Sequence, residues 1–153
     1  MGAKSLIRPS TELYDEDFVV WAIETARLLR ARRFDEIDVE HLAEEIEDMA
    51  KRDKRELLSR LRVLIKHLLK WQHQADHRSG SWESAIITQR AELEQLFEQS
   101  PSLRRAVPAS TAQVYRDAVA EAIIETRLPA KSFPRECPFT PEQILDRTFL
   151  PDR

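Results

Sequence analysis

Glycine is nearly missing from this chain of 153 residues: two are present, Gly2 and Gly80, and neither sits in a glycine-rich run. A P-loop or a dinucleotide fold needs several glycines so that backbone N–H groups can approach a phosphate closely. That chemistry is excluded. Cysteine is equally scarce. The single Cys137 rules out an intrachain disulfide and suits a reducing compartment. No apolar run nears the roughly 18 to 20 residues that span a bilayer, and residues 1–10 carry no apolar stretch of the secretory kind. A cytoplasmic location is expected. There is no Gly-x-Ser-x-Gly elbow, and Cys137 lies between Glu136 and Pro138 with no evident base beside it. Cys137 therefore reads as a small apolar packing residue, and nucleophilic catalysis is not expected.

What is present points to helices. Hydrophobic residues make up 42% and charged residues 33%, a balance typical of a globular fold rather than of a disordered chain. The length suits one domain, residues 1–153, expected as an all-α bundle over 13–128 and a proline-rich tail over 129–153. A net charge of −3 gives no global attraction to nucleic acid or anionic lipid. Charge is nonetheless uneven. From Phe34 to Ala50 there are eight acidic residues and no Lys or Arg; from Lys51 to Lys70 there are eight basic residues against Asp53 and Glu56.

About four main helices are expected. The first runs from near Glu16 to Arg33, with Phe18, Trp21, Ala22, Thr25, Leu28 and Leu29 on one face. The second is long and charged. Val39, Leu42, Ala43, Ile46, Ala50, Leu57, Leu61, Leu64, Leu68, Trp71 and Ala75 hold one stripe without a change of phase. Asp38 is its N-cap, and no proline or glycine interrupts Val39 to Asp76. Unbroken, it would be roughly 57 Å long, more than the ~40 Å diameter of a compact domain this size. Either it breaks around Lys51 to Arg55, where Asp53 falls on the stripe, or it projects and finds a partner. A third helix starts at Ser81 and a fourth spans about Ser110 to Leu128, with Pro108 as a stop before it. In the tail, Thr140-Pro141-Glu142-Gln143 combines an N-cap, a first-turn proline and a capping-box glutamine, and Phe133, Phe139 and Phe149 are expected to drape it over the bundle.

Few residues promise chemistry. His73 and His77 have the i, i+4 spacing of a metal pair, but about 160° and 200° from the apolar centre they should face solvent. Glu44, Glu45, Glu47 and Asp48 point outward in four directions rather than converging. His67 sits beside the stripe and should be half-buried. Trp71, Arg78, Trp82 and Arg90 gather around the turn between the second and third helices, where aromatic rings and arginines could grip a phosphate, a carboxylate or a single strand. His67, Trp71, Arg78, Trp82 and Arg90 are therefore the ligand or partner candidates. No metal, cofactor or catalytic residue is assigned.

The elements Tyr14-x-x-Asp17-Phe18-x-x-Trp21, Leu42-Ala43-Glu44-Glu45-Ile46-Glu47, His67-Leu68-Leu69-Lys70-Trp71-Gln72, Ser81-Trp82, Ser100-Pro101-Ser102-Leu103 and Phe133-Pro134-x-x-Cys137-Pro138, in that order, give a family pattern. Over about Leu13 to Pro151 the chain resembles the bacterial family known as domain of unknown function twenty-nine. The resemblance implies an α-helical fold and a soluble bacterial protein, and it implies no activity. That family commonly has tyrosine where His73 stands and a proline around Ala75 to Asp76, departures that weigh against a metal pair at His73 and His77.

The expected function is a non-catalytic protein-interaction module that binds a protein partner or itself. Two copies of the long helix laid antiparallel would set acid against base, giving a homodimer. The alternative is a nucleic-acid-binding or nucleic-acid-processing protein that uses the basic half of the long helix. A small-molecule site with His67 at its edge is a third reading.

Overall fold

A computed structural model describes residues 10–152. Among them every regular element is helical: α1 (Ser10–Glu16), α2 (Phe18–Arg30), α3 (Val39–His73), α4 (Gly80–Gln99), α5 (Ser102–Arg105), α6 (Val107–Thr126) and α7 (Pro141–Leu145), with single 3-10 turns at Phe34–Glu36, Ala75–His77 and Ala130–Ser132. The long helix is continuous. Its 35 residues give a rod of roughly 52 Å, and no break occurs at Lys51 to Arg55. The chain divides into two compact units, parted between Lys51 and Arg52.

In the N-terminal unit, the helix expected from near Glu16 to Arg33 is α2, and a further helix not expected from the sequence, α1, ends just before it at Glu16. Asp17 is extended (φ −150°, ψ 92°) and its carboxylate accepts from the Val20 N–H, so it caps α2 and parts it from α1. Trp21, Thr25 and Leu28 are the buried face of α2. Their spacing of four and three residues is one side of a helix. Asp38 caps α3 as expected, accepting from the His41 N–H at 3.3 Å.

In the C-terminal unit, Leu57, Leu61, Leu64, Ile65, Leu68 and Leu69 of α3 meet Ile86, Leu93, Leu96 and Phe97 of α4 and Val114, Tyr115, Ala118 and Ala122 of α6 in one core. Alanines at 118 and 122 are 0% exposed, so the α6 backbone comes close to its neighbours. Phe133, Phe139 and Ile144 complete the core from the tail, and Phe149 packs on it. Three boundaries differ from expectation. Ser79, not Ser81, caps α4, its side chain accepting from the Trp82 N–H. Pro108 lies inside the first turn of α6, where a missing N–H costs nothing, and stops no helix. α3 ends at His73, because Gln74 leaves helical dihedrals (φ −129°, ψ 64°). The tail helix begins as read: the Thr140–Gln143 capping box is complete.

Candidate functional site

The five candidate residues lie in the C-terminal unit, and the structure divides them. Trp71 and Arg78 are together: the Arg78 Nε donates to the Trp71 carbonyl at 2.9 Å, and its guanidinium carbon lies 4.9 Å from the Trp71 ring centroid. Trp82 is paired with Lys70, whose Nζ sits 4.4 Å from the ring centroid. His67 is half-buried, as expected, and its Nδ1–H donates to the Val63 carbonyl at 2.8 Å. Burial lowers its pKa, the carbonyl opposes this, and the nearby charges of Lys70 and Lys66 lower it further. The net effect favours the uncharged ring. Arg90 stands apart from this group. It is buried and donates to the carbonyls of Ile144, Phe149 and Gln143, an internal tie for the tail.

A polar seam between α3 and α6 went unnoticed in the sequence. Lys70 Nζ meets Glu125 at 2.5 Å and Lys66 meets Glu125 at 2.8 Å and Glu121 at 3.2 Å, while Arg62 reaches Glu121 at 3.1 Å. Burial works against charge on Lys66 and Glu125, but their mutual hydrogen bonds win, raising the lysine and lowering the carboxylate. The signal was present: Arg62, Lys66 and Lys70 recur every four residues, and so do Glu121 and Glu125. What was missing was the knowledge that α3 and α6 are neighbours. The seam consumes much of the positive charge of α3, as does the contact of Arg60 with Glu56 and Glu92.

The two histidines do not form a helical pair. His77 lies in the 3-10 turn Ala75–His77 and is exposed. His73 does not face solvent; its ring packs edge-on against Phe133 with centroids 5.0 Å apart. Burial lowers the pKa of its ring. The tail covers the face that the helical wheel had left open. A concavity of about 540 Å³ adjoins this turn, lined by Gln72, His73, Gln74, Asp76, His77 and Leu128. Among the described residues no group of three His, Cys, Asp or Glu side chains is placed to hold a metal ion. Burial pushes the Cys137 thiol up, away from a reactive thiolate.

The N-terminal unit holds an aromatic and carboxylate cluster that sequence spacing alone does not bring together. Tyr14 stacks on His41 with ring centroids 3.9 Å apart and donates from its hydroxyl to Glu45 at 2.6 Å. That bond, more than burial or the charge itself, holds the Tyr14 pKa up at about 12. His41 Nδ1 meets the Asp38 carboxylate at 2.5 Å, which raises the His41 pKa against the opposing effect of burial. This cluster joins α1 to the start of α3. The same unit carries most of the exposed large hydrophobic residues. Phe18, Val19, Val20, Ile23, Leu29, Phe34, Val39, Ile46 and Met49 are exposed, whereas only Ile87 and Ile124 are exposed large hydrophobics in the rest of the described chain.

These elements define an all-helical protein built on one long amphipathic helix, with no helix among the described residues long and apolar enough to cross a membrane. The family model for domain of unknown function DUF29 matches residues 13–150. The chain belongs to that family, as its motif order indicated. Neither the curated proteins nor the solved structures give a match.

Proposed function

We propose that the protein is a non-catalytic interaction module that presents the apolar surface of its N-terminal unit to a protein partner. The observation that carries this reading is the concentration of nine exposed large hydrophobic residues between Phe18 and Met49. Single exposed apolar residues need no explanation, whereas neighbouring ones mark an interaction site, and Val39, Ile46 and Met49 share one stripe of α3. The alternative reading, nucleic-acid binding through the basic half of α3, draws less support, because Arg60, Arg62, Lys66 and Lys70 are engaged with glutamates.

The test is affinity capture from native lysate with the parent chain and with the double variant Ile46→Ser, Met49→Ser, identifying protein and nucleic acid in both eluates. A protein recovered by the parent and lost by the variant is the expected result. An identical set of proteins in both eluates, or nucleic acid released by moderate salt as the sole species, would overturn the reading.

A further inference from the structure

The apolar stripe of α3 keeps one phase along the helix but is covered along only part of it. Leu57, Leu61, Leu64 and Leu68 are between 0% and 2% exposed, while Val39, Ile46 and Met49 are 62%, 59% and 60% exposed. Ala43 and Ala50 on the same line are also exposed. In the C-terminal unit the stripe is covered by other helices, α4 and α6 among them. A stripe of this period is matched by another helix, whose ridges fit its grooves.

Charge selects the kind of helix. No lysine or arginine occurs between Phe34 and Ala50, and eight acidic residues do. Glu40 and Glu47, seven residues apart, border the stripe on one side, and no ion pair among the described residues engages either. The carboxylates of Asp38 and Glu45 are taken by His41 and Tyr14. A partner laid along the stripe meets unneutralised negative charge.

We propose that this stripe receives an amphipathic helix with lysine or arginine flanking its apolar face, supplied by a different protein. The proposal rests on the interaction reading above and adds the chemistry of the partner. A second copy of this chain fits poorly. Pairing the exposed stripe with its own equivalent sets acid against acid across a two-fold axis. The antiparallel arrangement that sets acid against base would need Leu57 and Leu61 of the second copy, which are already buried in its own core.

The test uses the full chain and two synthetic helical peptides, each with a leucine stripe, one flanked by lysines and the other by glutamates. Titration calorimetry is run at low and at raised sodium chloride. The expected result is binding of the lysine peptide alone, weakened about tenfold or more by the added salt. Ile46→Ser with Met49→Ser should abolish it, and Glu40→Lys with Glu47→Lys should shift preference to the glutamate peptide. If the serine pair abolishes binding but charge reversal changes nothing, the basic partner is overturned and the interaction surface stands. If neither pair has an effect, both readings fall. Sedimentation showing a dimer that the serine pair dissolves would assign the stripe to a second copy and overturn the proposal.

Discussion

Arg90 Nε donates a 2.8 Å hydrogen bond to the carbonyl of Ile144, tying the middle of α4 to α7. The same guanidinium donates to Phe149 at 2.8 Å and to Gln143 at 3.2 Å. At 4% exposure its charge has little contact with water. Burial lowers its pKa and Asp146 partly offsets this, but a guanidinium stays charged at any working pH. Arg90→Ala should cost about 3 kcal/mol, from lost charge-assisted bonds and stranded carbonyls. Arg90→Lys should recover only part, because an ammonium lacks the planar fork. Urea denaturation measures both. An alanine variant as stable as the parent would show that the tail is held by its aromatics alone.

How much was legible follows from where each signal lives. The α3 stripe as far as Trp71, the Asp38 cap and the Thr140–Gln143 capping box are local signals, and each stands in the structure. Arg90 and Trp82 are neighbours along one helix, which groups them in the sequence, while the partners of Arg90 are 53 to 59 residues away. The helical wheel puts His73 in solvent for the same reason, since Phe133, which packs against it, comes from the tail. The start of α2 is legible to within two residues, since an aspartate before Phe18 is an N-cap signal, whereas α1 before it is not among the helices the sequence leads one to expect.

Glu125 bridges Lys66 and Lys70. Glu125→Gln should cost about 1 to 2 kcal/mol, less than a fully buried pair because the carboxylate is 37% exposed and so is partly screened. Because the folded pKa of Glu125 is lowered below its ordinary 4.5, the stabilisation is present above that value and is lost as the pH falls through the lowered one. Thermal melts of parent and variant should therefore converge in acid. Curves that stay parallel down to the acid transition would count against the bridge.

His41 should carry a pH dependence of opposite sign. Its pKa is raised above 6.5 by the hydrogen bond to Asp38, against burial. The charged pair contributes fully below that value and is lost as the pH rises through the raised one. Asp15 and Glu44 also favour the charged ring. An NMR titration should place the His41 midpoint above that of an ordinary histidine, and Asp38→Asn should bring it down. No movement in the asparagine variant would sink this account.

Arg127 closes α6 in the left-handed region at φ 60°, a conformation that costs a non-glycine residue about 1 kcal/mol or more. Its side chain is exposed. Arg127→Gly should raise stability by roughly 0.5 kcal/mol, the relief of strain exceeding the added freedom of the unfolded chain. Chemical denaturation decides the sign, and a loss of stability would mean that the arginine side chain contributes more than the strain removes.

The two ends of one apolar stripe should respond differently to the same loss of hydrophobic volume. Leu61 is fully buried, so Leu61→Ala removes methylenes from a packed core and leaves a cavity, at a cost of about 3 kcal/mol. Ile46 lies on the same line of α3 but is 59% exposed. In the isolated chain Ile46→Ala forfeits little burial, and alanine is the better helix former, so the change should stay within about 0.5 kcal/mol of neutral. The contrast is a measurement of coverage. A cost near that of Leu61→Ala at position 46 would mean that the stripe is already packed in solution, leaving no open face for a partner helix.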